Sequence, residues 1–348
     1  VTGDMHETPA MEKSGGGAGP RPLGRAGLVV GPHSFGTAGL GNLYRTVTPA
    51  EAAGAVDAAW EVGVRYFDTA PHYGLGLAEE RLGAALAARP RDEFVISTKV
   101  GRLIVGTGED PGEDDDQGVD VPKDRIRVLD YSRDGVLRSI EDSLGRSGLD
   151  RIDIVLVHDP DDHYREAMDG AFPALEELRA AGVIRSYGAG MNQSEMLADF
   201  IRNTDLDVVM VAGCYSLLEQ PALDDLLPVA LERGVSVIAA GVFNSGILAS
   251  ERATAASNYR YQPAPPEIVS RVNAIADVCE AHGVTLPVAA AQFVLGHPAI
   301  ATVCLGARSR AQVERNESLF HQAIPGELWA ALKNEGYLDP SAPVPQQT

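Results

Sequence analysis

Cysteine, positive charge and long apolar runs are all scarce in this 348-residue chain. The three cysteines, Cys214, Cys279 and Cys304, lie far apart. They show neither disulfide-framework nor metal-ligand spacing, which excludes a stapled secreted scaffold and fits reduced, buried thiols. Lys and Arg number 29 against 49 Asp and Glu, a formal charge of −20 without any basic block. That balance argues against nucleic acid or an anionic membrane as partner. No apolar run approaches the ~20 residues that span a bilayer, and the polar first residues lack the apolar stretch of a secretion signal. A cytoplasmic location is therefore expected. The turns Gly36–Asn42 and Gly74–Glu79 are glycine-rich, but neither has the G-K-[ST] or Rossmann pattern. They read instead as turns that bring backbone close to a site. The acidic run Glu113–Asp116 and the group Asp159, Asp161, Asp162 and His163 also lack ligand spacing. They read as a solvated face and as turn and helix-start residues, and no metal is expected.

What is present is an ordinary globular composition, 45% hydrophobic and 22% charged, on a chain long enough to bury a large core. Residues 1–20, with Ser14-Gly-Gly-Gly17 and Pro20, read as a flexible tail. Leu23–Val30 suits a small hairpin. Strands are then expected at Pro32–Thr37, Val64–Asp68, Phe94–Val100, Ile152–His158, Val183–Gly190, Asp207–Ala212, Val235–Gly241 and Ala299–Leu305. Helices fall between them, at about Thr48–Gly63, Leu77–Ala88, Ser132–Gly148, Tyr164–Ala181, Ser194–Asn203, Pro221–Arg233 and 265–297, with Ser309–Phe320 closing the series. Eight strands alternating with helices mean an α/β fold with a parallel sheet, and the count suits a closed (β/α)8 TIM barrel. The barrel domain is expected over residues 21–325, followed by a C-terminal segment, 326–348. One stretch breaks the alternation: Arg102–Asp130 is a long insertion after the third strand, and loops of that length are lids or disordered segments.

Four residues at strand ends form one chemical set. Asp68 ends the strand V-R-Y-F-D, and Tyr73 sits on the turn that follows. Lys99 ends the third strand and His158 the fourth. In α/β proteins the carboxyl ends of parallel strands are where ligands gather. A phenol with an ordinary pKa of about 10 is a poor proton carrier near neutrality. A neighbouring ammonium favours the phenolate, a carboxylate fixes that ammonium, and a histidine can hold a carbonyl or hydroxyl oxygen. Taken singly, Asp68 reads equally well as a helix cap and Tyr73 as a half-buried loop aromatic.

The four segments together, D-T-A-P-H-Y-G, S-T-K-V and V-H-D on successive strand ends, resemble the signatures of the aldo-keto reductases over roughly residues 21 to 320. The resemblance implies a TIM barrel, a nicotinamide cofactor and a catalytic tetrad at Asp68, Tyr73, Lys99 and His158. Further segments resemble the family's aldose 1-dehydrogenase branch, which holds L-fucose, L-galactose and D-threo-aldose dehydrogenases together with pyridoxal 4-dehydrogenases. These segments are Gly39–Tyr44, Lys99–Arg102, Asp130–Ser132, His158–Asp161, Gly188–Asn192 and Phe243–Leu248.

For the cofactor, the resemblance implies Asn192 at the nicotinamide carboxamide and Gly306, Arg308, Gln312 and Asn316 around the adenosine. It adds Phe243, as a replacement for the displaced stacking aromatic, with Asn244, Ser245, Gly246 and Leu248. Met191 stands where most members have serine, and the usual glutamine of the sixth strand is replaced within Val211-Ala-Gly213. NAD(P) is the expected cofactor, with NADP favoured. The expected reaction is oxidation of an aldose at C1 to the lactone, with a sugar or aldehyde as small-molecule partner and homo-oligomerisation left open. The alternatives are pyridoxal 4-dehydrogenation, general aldehyde or ketone reduction, and a non-catalytic nicotinamide-sensing subunit.

Overall fold

Short runs of Val, Ile, Ala and Gly, bounded by turn residues, become eight strands: β1 His33–Gly36, β2 Tyr66–Asp68, β3 Val95–Val100, β4 Ile154–His158, β5 Ser186–Met191, β6 Val208–Ala212, β7 Ser236–Ala240 and β8 Ile300–Gly306. In this computed structural model, which describes residues 19–43, 45–107 and 124–346, they pair in parallel in chain order. β8 pairs back with β1, and the sheet closes into a barrel. The mixed α/β architecture is the eight-stranded barrel expected from the alternation.

Side chains alternate across each strand, and the cores divide accordingly. Tyr66, Val95, Ile154, Leu156, Val208, Met210, Ile238 and Ala301 fill the barrel interior, together with Leu23, Leu28 and Val30 of an N-terminal hairpin. That hairpin, Arg21–Leu23 against Leu28–Val30, plugs the barrel's lower end. The Arg21 guanidinium donates to the carbonyls of Ile300 (2.6 Å) and Leu295 (2.8 Å). The outward set, including Phe67, Ile96, Val155, Val157, Val209, Val237 and Val303, packs on the helices.

Local signals account for the helix ends. Thr48 and Glu51 make a reciprocal capping box at the start of helix Pro49–Glu61. Ser132 caps Arg133–Ser147, and Gly148 ends it in the left-handed region. Three departures from the sequence expectation are structural. The stretch 164–181 is not one regular helix, because a π turn at Ala167–Ala171 interrupts it. There Gly170 lies so close to the Tyr131 carbonyl that a Cβ would come within 2.6 Å. The insertion begins and ends as an antiparallel hairpin, Arg102–Gly106 against Arg125–Leu129, in five register pairs. Finally, the C-terminal segment supplies a helix, Gly326–Asn334, whose Leu328, Trp329 and Leu332 are buried in the main core. The acidic run 113–116 and the tail 1–18 lie outside the described residues. Among the described residues no single helix is long and apolar enough to cross a membrane.

Candidate active site

Strand parity decides what reaches the cavity. Asp68 pairs in register with Ser97, Lys99 with Leu156, and His158 with Gly190. Lys99 and His158 therefore share the inward face with Asp68, at the carboxyl end of the barrel. The Lys99 ammonium is buried, donates to both carboxylate oxygens of Asp68 (2.8 and 3.0 Å) and donates to the Thr69 carbonyl (3.0 Å). The Ser97 hydroxyl donates to Asp68 at 2.7 Å and is itself bonded to the Tyr66 phenol at 2.9 Å. A buried ion pair needs such supporting bonds to offset its desolvation. Across the cavity, the Tyr73 ring lies 4.7 Å from the Lys99 nitrogen and 5.9 Å from the His158 ring, nearly perpendicular to it.

The electrostatics sort the four groups. Burial alone would lower the Lys99 pKa, but the Asp68 carboxylate and Tyr73 outweigh it and hold the ammonium above its ordinary value. Burial pushes the Tyr73 phenol up, Lys99 pulls it down, and burial wins. The sequence-based expectation of a net lowering by Lys99 is thus outweighed by desolvation. Burial, and then the positive charges of Lys99 and Arg102, keep His158 well below the usual histidine range, so its imidazole is neutral.

These groups line a cavity of about 710 Å³, together with Gly36, Ala38, Leu43, His72, Arg102, Asp159, Asn192, Tyr261 and Gly306. The glycine-rich turns do bring backbone together. A Cβ on Gly41 would stand 2.6 Å from the Tyr73 carbonyl carbon, and one on Gly74 2.5 Å from the Gly41 carbonyl oxygen. Of the residues expected at the cofactor, Asn192 and Gly306 line the cavity directly. Phe243 packs against the main core and Leu248 is buried within it. Asn244 and Ser245 adopt left-handed backbone, with φ 45° and 60°, and Gly246 has φ 94°. Asn244 donates to Glu219 (3.2 Å), and the Ser245 hydroxyl accepts from the Tyr261 N–H (3.0 Å). At the last strand, Gln312 accepts from the Arg308 N–H (2.8 Å), and Asn316 donates to the Gly306 carbonyl (3.3 Å).

Two features suit a flat, polar cofactor. At Gly190 and Gly306 an added Cβ would meet nothing closer than 3.6 and 3.9 Å, so these glycines leave cavity space that a side chain would occupy. Among the described residues nothing donates to the buried Asn244 Oδ1, an acceptor left over in the turn that the resemblance assigns to the cofactor.

The sequence reading gave no individual role to several residues in and behind the wall. Tyr261 sits at the tip of a small hairpin, Asn258–Tyr259 with Gln262–Pro263, with φ 63°. Tyr131 is buried and donates to the carbonyls of His158 (2.8 Å) and Asp159 (3.1 Å). Arg102 reaches Asp159 at 3.2 Å. Two neighbours in the same segment have ordinary partners: Asp161 accepts from Gln193, and His163 contacts Glu166. Apart from the i,i+3 contact of His163 with Glu166, nothing in the local sequence spacing signals these contacts, because they join segments distant in sequence.

Comparison with known proteins agrees with this geometry. Residues 34–334 match the Aldo/keto reductase family. The chain is 45% identical over 310 residues to a D-threo-aldose 1-dehydrogenase from a Pseudomonas species, covering 88% of this chain and 94% of that one. It is 42% identical over 335 residues to a pyridoxal 4-dehydrogenase from Microbacterium luteolum, covering 91% and 97%. Among solved structures, the holo form of an aldo-keto reductase from Bacillus halodurans superposes with a TM-score of 0.70 at 25% identity, over 91% of this chain and 95% of that one. By fold, by the arrangement at its strand ends and by these matches, the chain belongs to the aldo/keto reductase family.

Proposed function

We propose that this aldo/keto reductase oxidises an aldose at C1 to its lactone, with NAD(P) as the hydride acceptor. The observation that carries the reading is the buried Lys99–Asp68 pair set beneath the Tyr73 ring, with neutral His158 facing it. In the oxidation, Tyr73 takes the proton of the anomeric hydroxyl. Lys99, anchored by Asp68, stabilises the phenolate that accepts it, and His158 donates an N–H to the same oxygen. In reverse, Tyr73 protonates the alkoxide that develops on a reduced carbonyl. A bound nicotinamide supplies the hydride chemistry. Asn192 would hold its carboxamide, the glycine-lined floor its ring, the Asn244–Gly246 turn a donor group such as a ribose hydroxyl, the N–H groups at the start of helix Arg310–Ser318 a phosphate, and Gln312 and Asn316 its adenosine.

The aldose reading draws support from the 45% identical relative, and a second reading, oxidation of pyridoxal, from the 42% identical one. A panel of L- and D-aldoses plus pyridoxal, assayed with both oxidised cofactors by nicotinamide absorbance, separates them. At least one aldose should be turned over with a lactone product. Turnover of pyridoxal alone would replace the reading. Turnover only in the reductive direction would make the chain a general carbonyl reductase, and tight cofactor binding without any turnover would make it a sensing subunit.

A further inference from the structure

One charged pair in the cavity has no part in the proton transfer. Arg102, the first residue of the insertion hairpin, and Asp159, which directly follows His158, both line the cavity. Their side chains are only 18% and 20% exposed. The pair meets at a single point, Arg102 Nη2 to Asp159 Oδ2 at 3.2 Å. Among the described residues, Asp159 Oδ1 accepts nothing, and the buried Arg102 Nε donates to nothing. A mostly covered ion pair with one contact leaves much of its desolvation unrepaid. Contacts around the turn fix its backbone: Asp159 sits at φ 42°, left-handed backbone that Asp and Asn adopt more readily than other non-glycine residues. The Asp159 N–H donates to the Gly190 carbonyl at 3.0 Å. Tyr131 grips the two carbonyls on either side of the His158–Asp159 peptide. Tyr131 in turn packs so tightly on Gly101 that a Cβ there would come within 2.1 Å of its ring. The result points the carboxylate at the reacting centre, with Asp159 Oδ2 3.5 Å from His158 Nε2.

We infer that Arg102 and Asp159 form the subsite that reads the hydroxyl on the carbon next to the reacting one. The inference rests on the proposed function, because the reacting oxygen is taken to lie between Tyr73 and His158. Oxygens on adjacent carbons of a sugar can stand about a hydrogen-bond length apart. A substrate whose first oxygen meets His158 thus presents its second to Asp159. That hydroxyl donates to the Asp159 carboxylate and accepts from the Nη end of the Arg102 guanidinium, where the single contact with Asp159 leaves N–H groups over. The recognised chemistry is a vicinal diol, or its hemiacetal equivalent, at C1 and C2. A site built this way rejects an analogue lacking the hydroxyl strongly, since its own polar groups are then left unpaired.

The test compares the best aldose with its 2-deoxy counterpart in the parent enzyme, Asp159→Asn and Arg102→Met. Asn tolerates left-handed backbone, so Asp159→Asn keeps the turn, and NADP affinity by fluorescence reports that each variant is folded. The parent should favour the hydroxylated sugar in kcat/KM by about 100-fold or more. Both variants should cut that ratio to about 10-fold or less. A residue that merely positions His158 would slow both sugars equally, so an unchanged ratio in folded variants overturns the subsite, as does a parent that does not distinguish the two sugars. Failure to oxidise any aldose overturns the proposed reaction and the subsite together, and is recognisable because it precedes any comparison of variants.

Discussion

Two opposed influences meet on the Tyr73 phenol: burial raises its pKa, and the Lys99 ammonium lowers it by less. A base must be deprotonated to work, so kcat/KM for oxidation in the free enzyme should climb with pH through the alkaline range. Reduction, which needs the protonated phenol, should stay level there. His158 is held well below its ordinary 6.5, so neither direction should show a limb near that value. A sharp inflection between pH 6 and 7 would count against a neutral His158. Tyr73→Phe should lower turnover by orders of magnitude while leaving cofactor affinity nearly intact, because only the transition state loses a partner; turnover within a few-fold of the parent sinks the mechanism. The cofactor's identity also turns on single side chains. Arg308 lies at the turn into helix Arg310–Ser318, its stem against Gly39, and the neutral Gln312 beside it accepts from the Arg308 N–H. If that guanidinium grips the 2′-phosphate, Arg308→Ala should weaken NADP by roughly 1.5–3 kcal/mol, the worth of a hydrogen bond to a charged group. NAD should scarcely notice, and equal losses by fluorescence titration would remove Arg308 from that role.

Elements carry the next level of control. Gly101, at φ 103°, lets β3 turn into the insertion hairpin while the Tyr131 ring packs closely on it. Gly101→Ala would impose both a backbone penalty and a clash. It should lower the melting temperature by several degrees, and turnover should fall as Tyr131 releases the His158 and Asp159 carbonyls. An unchanged melting curve would mean that the contact is slack. The hairpin itself leaves β3 on the side where the cavity opens, with Arg102 in the wall. Replacing Leu103–Val128 with a short Gly/Ser linker should raise KM for the best sugar more than it weakens cofactor binding; an unaltered substrate profile would show that the hairpin takes no part in selectivity. How legible each element was follows from its physics. Asp68 and His158 were legible because each ends a strand, and Lys99 because it stands one residue before the end of β3, on the same face as Ser97. The Tyr131 and Tyr261 contacts were not, because each depends on a segment distant in sequence. The helix Gly326–Asn334 was also missed: Leu328, Trp329 and Leu332 do stand at helical spacing, but over nine residues that pattern is too short to stand out by itself. The pairing of Glu79 with Thr98 (2.7 Å) and Arg146 (2.7 Å) behind β3 was hidden for the same reason as the tyrosines: a buried carboxylate reads in sequence as a surface one.

At the scale of the whole molecule, the chain must meet itself across almost its full length. β1 finds its second neighbour only in β8, where Val303 pairs with His33 and Gly306 with Gly36, and Arg21 waits for the carbonyls of Leu295 and Ile300. On a ribosome, then, β1 emerges with one edge open long before β8 is made, and β7 joins it as a second open edge for the stretch between Ala240 and Ile300. Open edges of that kind invite pairing with other nascent chains. The same order withholds function, because the Gly36–Gly306 floor exists only after the joint is made. A chain ending at residue 298 should therefore bind neither NAD nor NADP in fluorescence titration and should depend on chaperones to stay dispersed. Supplying 299–346 as a separate peptide should restore some binding if closure is the missing step. Late completion of this kind makes the final seam a checkpoint in synthesis: a chain cut before β8 lacks the Gly36–Gly306 pairing, and with it one wall of the cavity.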